Sequence, residues 1–482
     1  MLWKNQGDLR ATPMSLRRAN CLWILLSLIA SLLSGSLGTK ADALTMEEER
    51  KIGKQVFVEI EKGGGIAEDL TLQGFIDRVG RSLVPHAGPT PFDFRFYVVK
   101  DQNANAFAVP GGYIFTTTGL LVLAESEDEV AGVVSHEIAH VTSRHIADLI
   151  DRSKRMSLVT LAAMLAGALA GGQASQAITT SAMAAQQTMA LKYTRDHETE
   201  ADQNGLHTLI KTGYDPHGLV TFLNKLYKQS LASAPKIPPY LSTHPGPENR
   251  VALLESLIQI EPKPPGSPKT SEGFRAIQAR AFLAEREADV AVRYFESMVR
   301  TNPQDEVELL GLGLAYRKMG RFDKSVEALQ QALELAPQDL VLSEELAVTY
   351  FFSGKLDQAI QTLESLPLVS GGGTAASNDP MALYYLGRAY QEKGNLPKAL
   401  PLLREVQRER PDFVEVYLHL GSIYRRMDDP GLSHFYFGKH FRFRGDGGNA
   451  LLHFRTALQW LKQGSPERAE AEREIKELTE VQ

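Results

Sequence analysis

Two histidines stand four residues apart with a glutamate beside the first, in His136-Glu137-Ile138-Ala139-His140. On a helix, residues i and i+4 lie one above the other on one face, so both imidazoles can reach a single metal ion. Glu137 is then placed to act as a general base in metal-assisted hydrolysis. A catalytic zinc site takes three protein ligands and keeps one position open, so a third donor must come from another segment. Arg195-Asp196-His197-Glu198-Thr199-Glu200-Ala201-Asp202 offers one. Glu198 and Asp202 are again i and i+4, which pairs a ligand carboxylate with an acceptor that can stand behind a ligand histidine. His197 is the rival ligand, and Glu200 points elsewhere on that helix. The metzincin arrangement does not fit. It wants a glycine three residues past the second histidine and a third histidine three further on, and those places hold Ser143 and Ile146. His145 is one position out of that frame.

The elements that carry these residues follow from patterning. One helix is predicted over Asp128–Leu149, opened by acidic residues that suit its N-terminal dipole, with Val130, Val133, Val134 and Ile138 as its buried side. A second is predicted over about 195–212. Upstream, Met46–Glu61 and Leu70–Leu83 read as helices. Phe92–Val98 alternates as a strand. Asn105–Val109 and Tyr113–Thr117 read as strands joined through Pro110-Gly111-Gly112. Ala-rich helices are expected at about 156–171 and 174–193. The apolar run Leu158–Gly172 is 15 residues long, short of a membrane span. It reads as a packed hairpin near the site, or else as a lid or a helix making peripheral membrane contact.

The rest of the chain bounds its class. Arg17-Arg18, the apolar run Leu22–Leu33 and small residues ending in Ala41-Asp42-Ala43 have the layout of a cleaved export signal over residues 1–43, with Met14 as an alternative start. Cleavage near Ala43 would remove Cys21, the one cysteine in the chain. A thiol-free mature chain suits an oxidising compartment and leaves metal binding to histidines and carboxylates. A net charge of -6 and the lack of any Lys/Arg run of five or more argue against nucleic acid as a partner. After residue 260, Glu261–Pro268 carries four prolines and reads as a stiff linker over 261–269. Beyond it a 34-residue period links Tyr316 with Tyr350, Gly320 with Gly354 and Pro303 with Pro337. Leu386-Gly387-Arg388-Ala389-Tyr390 recurs 34 residues on as Leu420-Gly421-Ser422-Ile423-Tyr424, and Gly371-Gly372-Gly373 marks an insertion. This is the tetratricopeptide period of stacked helix pairs. Four clear units are expected, with an earlier one around Phe282 and a degenerate pair after Pro430. The expected fold class is thus an α+β zincin-like domain (44–260), mostly helical with a small sheet, followed by an all-α repeat solenoid (270–482).

Asn105-Ala106-Phe107 with Pro110-Gly111-Gly112, then His136–His140, then Glu198–Asp202 together resemble the zinc peptidase family that includes HtpX, the CAAX prenyl protease and the mitochondrial Oma-type protease. With an export signal in front and repeats behind, the layout resembles the periplasmic members that act in outer-membrane protein assembly. The resemblance implies one zinc ion per chain, held by His136, His140 and Glu198, with Glu137 as catalytic base. It implies His244, in Ser242-Thr243-His244-Pro245-Gly246, as a reversible fourth ligand that keeps the site latent. Arg250 is a candidate stabiliser of a developing oxyanion. The strand at Asn105, Ala106 and Phe107 is expected to present an edge to which an extended substrate pairs by backbone hydrogen bonds. The expected substrates are unfolded or misassembled polypeptides, and the repeats would recruit substrate or the outer-membrane assembly machinery. A chaperone or scaffold with a latent metal site is the competing reading.

Overall fold

The computed structural model describes residues 44–152, 193–232, 238–260, 273–367 and 380–480. The expectations for the export signal, for the helices at 156–171 and 174–193 (all but Tyr193), for the 261–269 linker and for the Gly371–Gly373 insertion fall outside the described residues.

Helix α1 (Met46–Lys62) opens on a capping box in which Thr45 and Glu48 satisfy each other's backbone N–H groups. Helix α2 (Leu70–Leu83) is capped by Asp69. Three strands follow: β1 (Arg95–Val99), β2 (Ala106–Val109) and β3 (Tyr113–Thr117), in the sheet order β1-β3-β2. β1 runs parallel to β3 and β2 antiparallel to it, so β2 lies at the end of the sheet. β1 begins at Arg95, three residues later than its alternation predicts. The period of two divides the sheet between two cores. Phe96, Val98, Ala106, Ala108 and Ile114 face the main core with α2. Tyr97, Val99, Phe107, Val109, Tyr113 and Phe115 face α1. On that second face the Phe107 and Phe115 rings stack at 4.9 Å.

After the short helix α3 (Thr118–Leu123) comes α4 (Glu127–Thr142), which bears the paired histidines. Its acidic start does more than complement the dipole. Arg78 of α2 forms a bidentate pair with Glu127, and Lys225 meets Glu129 at 2.7 Å. The single helix expected over 128–149 is in fact two. The chain breaks at Ser143, Arg144 takes φ 55°, and α5 (His145–Arg152) starts anew. The left-handed residue lets the Arg144 guanidinium reach the Glu49 carboxylate and the Leu44 carbonyl near the start of α1. Those partners offset the roughly 1–2 kcal/mol that a non-glycine residue costs in this conformation.

Helix α6 (Arg195–Thr212), capped by Thr194, lies against α4. Gly205 permits the approach, since a Cβ there would sit 3.2 Å from the His136 Cα. Helices α7 (His217–Ala232), α8 (Pro239–Thr243) and α9 (Pro247–Ile260) complete the front domain.

The repeats form six described helix pairs. They are α10 (Phe274–Glu285) with α11 (Ala288–Thr301), α12 (Glu306–Lys318) with α13 (Phe322–Leu335), and α14 (Leu340–Phe352) with α15 (Leu356–Ser365). Then come α16 (Pro380–Glu392) with α17 (Leu396–Glu409), α18 (Val414–Arg426) with α19 (Pro430–Phe443), and α20 (Gly447–Ala457) with α21 (Pro466–Glu480). Gly320 and Gly354, one period apart, turn the chain with φ 74° and 76°, a region open to glycine at little cost. The pair expected after Pro430 is α20 with α21, starting at Gly447; Pro430 itself is the first residue of α19, where its missing N–H is not needed.

Packing does not stop at the expected domain boundary. Phe274, Ile277 and Ala281 of α10 belong to the front domain's core, with the Phe274 and Phe75 rings 5.7 Å apart. Buried Arg280 pairs with Asp69, the cap of α2, at 2.9 Å and with buried Glu345 of α14, which Arg317 of α12 also contacts. Repeats and front domain therefore share both apolar core and buried charge. Among the described residues, no helix is long and apolar enough to cross a membrane.

Candidate metal centre

Helix α4 places His136 and His140 on one face, and α6 brings Glu198 up to them. Just beyond the end of α8, His244 reaches the same point. Ligand atoms of these four residues all lie within 4.8 Å of one another, and all four residues are buried. The separations match a coordination shell. His136 Nε2 lies 3.0 Å from His140 Nε2, 3.6 Å from a Glu198 oxygen and 3.4 Å from His244 Nδ1. Glu198 Oε1 lies 3.5 Å from His140 Nε2 and 3.0 Å from His244 Nδ1. Ligands about 2.1 Å from a tetrahedral ion are separated by roughly 3.4 Å. A donor set of imidazoles and one carboxylate therefore fits a four-coordinate metal ion.

Around the donors stands a supporting layer. Asp202 Oδ1 lies 3.0 Å from His136 Nδ1, the arrangement that orients a ligand ring and raises its basicity. His145 Nδ1 is 2.9 Å from His140 Nδ1, and its far nitrogen is 3.3 Å from Glu200. The Tyr193 ring stacks on His140 at 3.8 Å, and the Tyr240 ring on His244 at 4.4 Å. Arg250, at the start of α9, donates from Nε and Nη2 to Asp202 at 2.8 and 2.7 Å, while its Nη1 meets Glu198 at 2.6 Å.

The electrostatics follow from this enclosure. Burial drives His140 well below the ordinary imidazole range, which keeps it the neutral donor a metal requires. Burial would raise Glu198, but His244 and Arg250 outweigh it and hold the carboxylate well below its usual range. Burial likewise lowers His244, yet the Glu198 and Glu137 carboxylates prevail and raise it. Glu137 is fully buried, with neither carboxylate oxygen hydrogen-bonded among the described residues. Its Oε1 is 3.5 Å from His244 Nε2.

The structure thus brings together His136, Glu137, His140, Glu198, Asp202, His244 and Arg250. The rival ligand His197 turns away to Asp148, at 3.0 Å, and stacks on His145 at 4.4 Å. Asn105, Ala106 and Phe107 lie at and just before the end strand β2, and all three are buried. Reading the sequence did not assign Tyr193, Tyr240 or the contact made by His145. Tyr240 did carry a signal, because it stands four residues before His244. Arg250 carried none for its bidentate grip on Asp202, which only the packing of α9 on α6 creates.

Comparison with known proteins agrees with this geometry. Residues 71–258 match the model of Peptidase family M48. Residues 307–339, 345–412 and 384–428 match tetratricopeptide repeat models. A Vibrio cholerae protein, provisionally named a beta-barrel assembly-enhancing protease, is 33% identical over 307 residues, covering 62% of this chain and 63% of its own length. The beta-barrel assembly-enhancing protease of Escherichia coli is 28% identical over 307 residues, covering 62% of each chain. The mitochondrial metalloendopeptidase OMA1 of Schizosaccharomyces pombe is 28% identical over 184 residues, covering 38% of this chain and 52% of its own. The chain spans less than two thirds of the length of these relatives.

Proposed function

From a chain that carries a Peptidase family M48 domain followed by tetratricopeptide repeats, we propose a periplasmic zinc endopeptidase that cuts misfolded or misassembled outer-membrane proteins. The observation that carries this reading is the convergence of two imidazoles and the Glu198 carboxylate on one point, with the Glu137 carboxylate buried beside them. In it, His136, His140 and Glu198 hold the zinc ion, and Asp202 orients His136. Bound zinc would supply polarisation of the scissile carbonyl and a more acidic water. Glu137 accepts the proton of the attacking water and returns it to the leaving amine, a role for which its oxygens, neither of them hydrogen-bonded among the described residues, are suited. An extended substrate adds to the β2 edge through backbone hydrogen bonds, which read little side-chain sequence. The outer-membrane substrate class follows the names of the two bacterial relatives. The repeats offer a surface for recruiting substrate or assembly machinery.

The test is metal analysis of the purified chain paired with digestion of casein. One zinc per chain is expected, with digestion that stops on chelation and returns on adding zinc. Absence of bound metal would overturn the proposal.

The burial of His244 within the donor set supports its role as a latch. Glu137 and all three imidazoles are fully buried, and in this reading the Tyr240–His244 segment moves to admit substrate. His244→Ala is expected to raise basal casein digestion several-fold without loss of metal, and unchanged turnover would count against the latch. The same burial favours a second reading, in which the repeats act as a scaffold while the metal site stays latent.

A further inference from the structure

Far along the chain from the metal centre, the end of α1, the segment 64–68 and β1 meet the α17–α18 turn across a cleft of about 180 Å³. On the same measure one water needs roughly 10–15 Å³, so the space admits a long side chain. Six charged groups line it: Glu61, Glu68, Asp412 and Glu415 against Arg410 and Arg444. Two of the acids are already matched. Asp412 takes both Nε and Nη2 of Arg410 at 3.1 Å, and Glu415 is 3.4 Å from Arg444. Glu61 and Glu68 are left as surplus negative charge.

Of the residues lining the cleft, two have a buried side-chain atom with no hydrogen-bond partner among the described residues. One is Oε2 of Glu61; the other is Nη1 of Arg410, a residue only 8% exposed. An acceptor without a donor and a donor without an acceptor, lining one cleft, each carry a desolvation cost that a suitable guest would remove. Phe57, Tyr97 and Phe413 supply apolar and aromatic walls.

We propose that this cleft docks a lysine or arginine side chain of an extended polypeptide. Its cationic head donates to Glu61 and its stem packs along the aromatic walls, where a cation is also favoured by the ring faces. A main-chain carbonyl of the same polypeptide accepts from Arg410 Nη1. A free anion would answer Arg410 but would face Glu61 and Glu68 and leave Glu61 unpartnered. The condition of Glu61 agrees with the assignment. Burial, with a contribution from Asp412 and against the pull of Arg444, pushes it up to about 7. The proposal stands whether or not the metal centre hydrolyses what the cleft holds.

The test measures fluorescence anisotropy of labelled seven-residue peptides with a central Lys, Gln or Glu. They bind to the full chain carrying Glu137→Gln, so that none is cut. The Lys peptide is expected to bind about tenfold tighter than the other two at pH 8. Adding Glu61→Gln, which keeps the side chain's shape, should erase that preference. Docked cation favours ionised Glu61, so affinity for the Lys peptide should fall as pH drops from 8 to 6 and Glu61 takes up a proton. The other charged and titratable groups lining the cleft with it are Asp412, Glu68, Glu415, Tyr97, Arg410 and Arg444. The Glu61→Gln chain should show a flat profile over that range. Equal binding of the three peptides would overturn the proposal. So would a Lys preference that survives Glu61→Gln, which would mean only general attraction to a chain of net charge -6.

Discussion

Replacing Glu137 by Gln is expected to remove peptide hydrolysis while leaving the metal bound. The side chain is completely buried, and its oxygens accept no hydrogen bond among the described residues. Its one described charged neighbour is His244, 3.5 Å away, and the amide fits the same space. What is lost is the ability to take and return a proton, a contribution of about 10²–10⁴ in rate. Casein digestion should fall by at least that factor, with zinc content and thermal unfolding close to those of the parent chain. Residual turnover within threefold of the parent would show that another group is the base. The same variant separates the two functional readings. If it restores outer-membrane protein assembly as well as the parent chain does in cells lacking the protein, the repeats act as a scaffold and hydrolysis is dispensable. Failure to restore assembly ties the function to cleavage.

A second large effect is expected from Arg250→Leu, and it falls on stability. Arg250 is the cation between two buried carboxylates, meeting Asp202 through two donors and Glu198 through a third. It also contributes to keeping both acids ionised inside the protein. Removing one partner of a buried ion pair leaves uncompensated charge and costs about 3–5 kcal/mol. Denaturant unfolding should report a loss of that size in the metal-free chain. Zinc affinity should fall as well, because Glu198 and Asp202 lose their fixed geometry. The double change Arg250→Leu, Asp202→Leu should recover part of the stability, since it removes a stranded charge. A loss below 1 kcal/mol for the single change would mean that the carboxylates find other partners.

These two residues illustrate what could be read before any coordinates. The placement of Glu137 was legible because it rests on local geometry: a helix puts positions 136 and 140 on one face and 137 next to them whatever the rest of the fold does. Glu198 and Asp202 were legible for the same reason, as another i, i+4 pair. For the repeats, a conserved offset of 34 between turn glycines and packing tyrosines within the chain was enough, because each unit packs mainly on its neighbours. The break at Arg144 was not legible. Nothing in the apolar pattern of Asp128–Leu149 distinguishes one helix from two, and the left-handed turn is held by contacts to Glu49 and Leu44, nearly a hundred residues earlier.

The amino-acid sequence alone determined which side chains could do chemistry and on which helices they would sit, since helical periodicity is a property of neighbouring residues. Tertiary packing alone decided that these helices meet. The approach of α6 to α4 over Gly205, the reach of His244 from the end of α8 and the clasp of Arg250 on Asp202 all join residues tens to more than a hundred positions apart. Such contacts depend on close fit and burial summed over the whole core, and no local pattern along the chain encodes them.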